Sequence, residues 1–306
     1  VTYKSFSSSV EEAIYVVNEI YDDFVKGKDL KEIAVLYRNN NQSMYIVDQM
    51  INKGIPFNLN RNGGRLYDHL FIRDFINVVN FAEDDKDPLL FKNNFNKITK
   101  YVNKTEVDRI ANEMTYREIS WRELVDFDNS SIGLASIKLQ KIKELVESKG
   151  NLSDIIDIFL EIYDNHLSFL TTRGKFKEEE IDELVLYLNE VYGGNTFKEF
   201  IYCIDRANSV ISLYKDRVDT VSLKTMHTVK GLEYDKVFII GANDDVVPNN
   251  NIEEKIIEIY GVDEANDYVE QERRLFYVAC TRAKKELIIT NNVLKPSRFV
   301  LELGVD

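Results

Sequence analysis

Ile33-Ala34-Val35-Leu36-Tyr37 and Val237-Phe238-Ile239-Ile240 are uninterrupted apolar runs of strand length, about two hundred residues apart. A strand wetted on one face alternates apolar and polar residues. A continuous run predicts a strand covered on both faces, as in a parallel sheet flanked by helices. Working outward from the first run, Thr2-Tyr3-Lys4-Ser5-Phe6 reads as a short strand. A helix follows with the stripe Val10, Ala13, Ile14, Val17, Tyr21 and Phe24. Ser8 or Ser9 suits its N-cap, and Glu11 and Glu12 favour the positive end of its dipole. After Asn40-Asn41-Gln42-Ser43 a second helix turns Ile46, Val47, Met50 and Ile51 inward. Gly54 suits its C-cap, Pro56 stops it, and Phe57-Asn58-Leu59 reads as the next strand. Around the second run, Thr220 to Leu223 and Leu287 to Thr290 are strand candidates, and Tyr268 to Thr281 is helical, with Leu275, Val278 and Ala279 at helical spacing.

Between these α/β pieces, from about Tyr67 to Arg217, nearly all the periodicity is helical. The stripes are Ile72, Phe75, Ile76, Val79; Leu152, Ile155, Ile156, Phe159, Leu160, Tyr163; Ile181, Leu184, Val185, Leu188, Tyr192; and Phe197, Phe200, Ile201, Ile204. Either α/β piece alone is too small to cover a parallel sheet on both faces. The expected fold class is therefore α/β: one discontinuous parallel-sheet domain, residues 1–68 plus 218–306, interrupted by an all-helical insertion over 69–217.

The composition, 44% hydrophobic and 30% charged over 306 residues, is that of a globular chain. No window reaches the roughly 18 apolar residues of a membrane span, and the first residues do not form a secretory leader. Cys203 and Cys280 are far apart and form no CxxC pair, so neither a disulfide framework nor a zinc site is expected, and a reducing cytoplasm is the simplest setting. The net charge of -13 argues against a general nucleic-acid coat but leaves room for a local basic groove.

Two clusters carry chemistry. Thr225-Met226-His227-Thr228-Val229-Lys230-Gly231-Leu232-Glu233-Tyr234 joins two strand candidates and so lies at a sheet edge, where α/β proteins place ligands. Its Lys can meet a phosphate, its Gly allows close backbone approach, and its Glu can accept from a sugar hydroxyl. The plainer reading is a polar loop turned by its glycine. Gln271 to Lys285 places an arginine pair, Arg273 and Arg274, early in a helix and Arg282 at its end. Arginine's fixed fork of donors suits a phosphoryl group held by another domain. The plainer reading is ion pairing of Arg273 or Arg274 with Glu270 or Glu272, and of Arg282 with Glu286.

The strings Met226 to Glu233 and Glu272 to Ala283, in this order, resemble motifs V and VI of the UvrD/PcrA/Rep superfamily 1 DNA helicases. Ile33 to Ser43 resembles that family's strand-contacting loop, Gly54-Ile55-Pro56-Phe57 follows it as in the family, and Pro296-Ser297-Arg298-Phe299 resembles the segment closing the helicase core. The resemblance implies a second RecA-like (2A) domain of P-loop NTPase type with a 2B-like helical insertion. It implies ATP and Mg2+, bound mainly by an N-terminal RecA-like domain of the same parent, and single-stranded DNA as the other partner. By the motif match Arg282 points at the γ-phosphate, Glu233 binds the ribose, and the Lys230-Gly231 turn holds that loop. Arg274 belongs on the nucleotide side, as cleft scaffolding more than as a ligand. Thr225, His227, Arg38 and Asn40 would touch the DNA strand, though Asn40 also suits a plain helix cap.

The chain departs from the family in two ways. It contains no GxxxxGK[ST] loop and no recognisable Asp-Glu magnesium motif, so no ATP hydrolysis is expected of it alone. The start within a fold reads as that of a fragment. Where relatives carry a Gly-Ile-Gly turn that meets duplex DNA, this chain reads Ile98-Thr99-Lys100-Tyr101-Val102-Asn103-Lys104-Thr105. The insertion is accordingly expected to serve regulation or a protein partner. The competing reading of the whole is a nucleic-acid-binding or protein-interaction scaffold derived from an inactive helicase relative.

Overall fold

Strands β1 (Thr2–Phe6), β2 (Ile33–Tyr37), β3 (Phe57–Leu59), β4 (Val221–Thr225), β5 (Tyr234–Ile239) and β6 (Ala283–Asn292) form one six-stranded sheet in the order β1-β6-β5-β2-β4-β3. Every pairing is parallel. The computed structural model describes residues 1–59, 65–99, 102–124, 130–215 and 217–304. Strands from the two ends of the chain interleave, with β2 between β5 and β4, so neither end could form this sheet alone. The interior position of β2 explains its unbroken apolar run: all five residues are at most 3% exposed. Burial of Ile33, Val35 and Leu36 is worth about 1.5–3 kcal/mol for each side chain.

Helices α1 (Ser9–Val25) and α2 (Met44–Lys53) pack against each other. The Ser8 hydroxyl accepts the Glu11 N–H at the start of α1, and Gly54 ends α2 in the left-handed region at φ 68°. The buried face of α1 keeps Val10, Ala13 and Val17 of the stripe read from the sequence but not its other three residues. Val16 and Ile20 are fully buried, whereas Ile14, Tyr21 and Phe24 are exposed. The face turns because Glu12 and Asp23 are buried with partners: Glu12 accepts the Gly241 N–H at 2.8 Å, and Asp23 meets Lys236 at 3.0 Å and Lys28 at 2.7 Å. A paired carboxylate tolerates burial that an unpaired one does not.

Six helices follow β3: α3 (Leu70–Glu83), α4 (Pro88–Ile98), α5 (Lys104–Arg117), α6 (Ser130–Glu147), α7 (Leu152–Thr172) and α8 (Glu178–Tyr192). Next come α9 (Phe197–Tyr214) and, after β5, α10 (Asn250–Ile259), α11 (Val262–Cys280) and, last, α12 (Arg298–Glu302). The chain divides into two compact units, Val1–Leu66 with Arg206–Asp306, and Tyr67–Asp205. The second division falls inside α9, earlier than the end of the helical periodicity. The last residue of α9, Tyr214, packs edge-on against Phe57 of β3 and so belongs with the sheet. In the helical unit Phe71, Phe75, Phe159 and Tyr163 form one aromatic cluster, and Phe81, Phe91, Phe95 and Trp121 another.

In the sheet unit α11 lies against β5 and β6. Alternate residues Ala34, Leu36, Val237, Ile239, Leu287 and Ile289 pack with Phe276 and Ala279 of this helix. Helix α11 begins earlier than its sequence signal, and α10, which has no fully buried residue, was not expected from the periodicity.

Candidate functional site

Parallel register fixes where each candidate residue lies. Tyr37 pairs with Thr225, so Arg38 and Met226 leave β2 and β4 at the same, carboxyl edge of the sheet. There Asn40 opens a 3-10 turn, Asn40–Ser43. The cap positions are Asn39 for that turn and Ser43 for α2, and the Asn40 carbonyl accepts the Ser43 hydroxyl at 2.8 Å. Asn40, weighed as a plain helix cap, therefore occupies neither cap position. Gln42 organises the edge. Its Oε1 accepts the N–H groups of Arg38 (2.9 Å) and Asn39 (2.8 Å), and its Nε2 donates to the carbonyls of Gly241 (3.1 Å) and Ile240 (3.3 Å). One side chain thus ties the loop after β2 to the loop after β5.

Arg38 is half-buried, and Glu272 of α11 grips it with both carboxylate oxygens, Nε to Oε2 at 2.8 Å and Nη2 to Oε1 at 3.0 Å. This fork raises the Arg38 pKa further. Beside it His227, exposed, is held below the usual histidine range, first by partial desolvation and then by the Arg38 guanidinium, with Glu272 opposing. Thr225 completes the edge, its hydroxyl 3.3 Å from that of Thr228. Arg38, Asn40, Thr225 and His227 therefore share one edge, and Arg38 and His227 also share an electrostatic environment.

The segment after β4 runs back along the sheet, because β5 must start at the opposite, amino edge. Its His and its Glu consequently end up at opposite edges, although six residues apart in sequence. Gly231 takes φ 83° with open space around its Cβ position, so backbone conformation, not crowding, calls for glycine there. Tyr234 pairs with Ala283, and its N–H donates to the Arg282 carbonyl at 2.9 Å. Glu233 and Arg282 thus sit side by side just before two adjacent parallel strands. The Arg282 guanidinium donates to the carbonyls of Val278 (2.9 Å) and Leu232 (3.0 Å) and to the Thr281 hydroxyl (3.0 Å). The Glu286 partner weighed for it instead faces Lys236 at 3.6 Å. Among the described residues no carboxylate pairs with Arg282, and the exposed side chains of Lys230 and Glu233 make no hydrogen bond or ion pair.

Arg273 pairs with Glu270 and Glu302 and lies over the Phe299 ring, the structural use weighed for it. Arg274, exposed, is eight residues before Arg282, about 12 Å of helical rise, so the structure does not gather it with the other amino-edge residues. Among the described residues no group of three His, Cys, Asp or Glu side chains is arranged to hold a metal. An arginine without a carboxylate partner beside a free carboxylate at one edge does suit the phosphate and sugar of a nucleotide, and Lys230 lies in the segment that leads to that edge. The sequence reading missed Gln42, Gly241 and the Glu272 fork. The signal for the last was present: Ala265, Val269, Glu272, Phe276 and Ala279 form the buried stripe of α11, with one carboxylate among apolar residues.

A family model described as UvrD-like helicase C-terminal domain matches residues 1–293. DNA helicase II of Haemophilus influenzae is 26% identical over 98% of this chain, and an ATP-dependent DNA helicase PcrA of Staphylococcus epidermidis is 28% identical over all of it. An ATP-dependent DNA helicase Rep of Buchnera aphidicola is 26% identical over 95%. The chain spans 44% of the length of the first two relatives and 48% of the third. No described helix is long and apolar enough to cross a membrane.

Proposed function

Because the chain belongs to the family of UvrD-like helicase C-terminal domains, we propose that it is the second motor half of a cytoplasmic, ATP-driven DNA helicase. In this reading the sheet unit is a RecA-like domain and the helical unit, Tyr67–Asp205, is its insertion. The observation that carries the proposal is the division of polar residues between two sheet edges. Arg282 and Glu233 stand at the amino edge with no ion-pair partner among the described residues, and Arg38, Asn40, Thr225 and His227 stand at the carboxyl edge.

ATP, with Mg2+, supplies the free energy of stepping and is held mainly by an N-terminal RecA-like domain of the same parent. Arg282 is already oriented by two backbone carbonyls, so its charge can meet a γ-phosphate with little loss of side-chain freedom. Glu233, one residue before β5, is placed to accept from a ribose hydroxyl, and Lys230 with Gly231 shapes the turn that leads to it. Arg274, earlier on α11, serves the nucleotide cleft as scaffolding more than as a ligand. At the other edge Arg38, Asn40, Thr225 and His227 receive single-stranded DNA. Helix α11 spans both edges, with Glu272 against Arg38 and Arg282 just past its end, and so is the element that links them.

The helical unit carries 27 acidic against 17 basic residues over 67–205, most of the chain's net charge of -13. Such a surface repels duplex phosphates. Where a duplex-binding turn is expected, α4 ends at Ile98 and Asn103 caps α5 by accepting the Thr105 N–H, while Lys100 and Tyr101 lie outside the described residues. We assign this unit to regulation or to a protein partner.

The experiment is ATP hydrolysis with single-stranded DNA by the full-length parent and its Arg282→Ala variant. Loss of two or more orders of magnitude in turnover, with nucleotide still bound, is the expected result. An inert parent, or an unaffected variant, favours the scaffold reading. The isolated chain, lacking a phosphate-binding loop and magnesium pair in its own sequence, is expected to show no turnover; DNA-stimulated hydrolysis that survives removal of contaminants would refute this.

A further inference from the structure

Glu272 is 6% exposed in the apolar stripe of α11, and its two oxygens take the Nε and Nη2 edge of Arg38. A carboxylate so placed requires an ionised partner, and the pair has no net charge. Arg38 is not used up by this grip. A guanidinium has five N–H donors, and among the described residues its Nη1 nitrogen has no partner. The backbone on either side is pinned as well, by Gln42 on the Arg38 and Asn39 N–H groups.

We propose that Glu272 masks the charge of Arg38, so that Arg38 meets a strand phosphate as a pair of aimed N–H donors without contributing net positive charge. The inference rests on the reading that this edge receives single-stranded DNA, and it specifies the chemistry of that contact. Electrostatic affinity for a strand comes from counterion release and scales with the number of phosphates neutralised. A neutral pair supplies direction without that release. A grip of this kind orders the strand yet holds each phosphate shallowly, which suits a protein that must let phosphates pass one after another.

The test is fluorescence anisotropy of a labelled oligothymidine titrated with the full-length parent over a salt series. Wild type is compared with Glu272→Gln and with the double variant Arg38→Gln plus Glu272→Gln. Unmasking one arginine steepens the dependence of log affinity on log salt by about 0.7, a loss about 2.6-fold greater than that of wild type between 50 and 200 mM salt. Glu272→Gln is expected to show this steepening, and the double variant, as neutral at this point as wild type, to keep the wild-type slope. A wild-type slope in Glu272→Gln, or a double variant flattened by a full phosphate contact, overturns the mask. If Glu272→Gln alone does not fold, as judged by circular dichroism, the double variant decides. Wild-type protein that fails to bind oligothymidine overturns the functional reading itself, and is distinct from binding whose salt slope ignores Glu272.

Discussion

Gly241→Ala probes the junction on which the carboxyl edge depends. Gly241 has φ 57°, and an added Cβ would lie 2.1 Å from Gln42 Nε2. Holding alanine in the left-handed region costs about 1–2 kcal/mol. The Gln42 amide must also move, and it makes four hydrogen bonds, to Arg38, Asn39, Ile240 and Gly241. At about 0.5–1.5 kcal/mol each, with some groups recovering water, their loss costs about 2 kcal/mol. Gly241→Ala should therefore destabilise the sheet unit by about 3.5 kcal/mol and Gln42→Ala by about 2 kcal/mol. The double variant should lose about 3.5 kcal/mol, no more than the glycine change alone, because alanine at position 42 removes the obstacle. The cycle then shows a coupling of about 2 kcal/mol. The readout is native-state hydrogen exchange at the β2 amides of Val35 and Leu36, since the single tryptophan, Trp121, lies in the helical unit and reports that unit instead. Additivity within about 0.5 kcal/mol would refute the reasoning, because it would mean that the Gln42 side chain yields without loss.

Burial pushes the Cys280 thiol up to about 12, so at pH 8 a thiol reagent should modify Cys203 well before Cys280, the two becoming equal in denaturant, as peptide mapping of the labelled protein will show. His166 is held below the usual histidine range, first by burial and then by Lys97, with Asp74 opposing. Its unfolded form therefore binds the proton more readily, and the stability it contributes as the neutral form is lost as pH falls from above the unfolded value of about 6.5 through the folded one. The drop in melting temperature between pH 7.5 and pH 5.5 should accordingly shrink in His166→Gln, and an equal drop would contradict this. The Tyr163 hydroxyl donates to Asp74 at 2.5 Å while Lys97 holds the other oxygen at 2.7 Å. Tyr163→Phe keeps the ring on Phe159 but leaves a buried carboxylate oxygen short of a donor, and should cost about 1.5–3 kcal/mol in urea unfolding followed by Trp121 fluorescence.

Much of this molecule could be read without coordinates. The continuous apolar runs of β2 and β5 signalled a parallel sheet because burial on both faces leaves no position for a polar residue. The period of 3.6 in the stripe from Leu152 to Tyr163 signalled α7 for the complementary reason, that one face of a helix is buried. The strings around Lys230 and Arg282 marked the family, since they are long and ordered. Tertiary structure decided the rest. Strand order β1-β6-β5-β2-β4-β3 depends on contacts between residues hundreds of positions apart, which no local period encodes. The face of α1 turned because Glu12 and Asp23 found partners in distant segments. Register placed His227 and Glu233, neighbours in sequence, at opposite edges of the sheet, and placed Arg38 against Glu272, 234 residues away. Hydrophobic pattern is a property of each segment and survives in the sequence, whereas the partner of a buried charge is chosen only when the chain has folded.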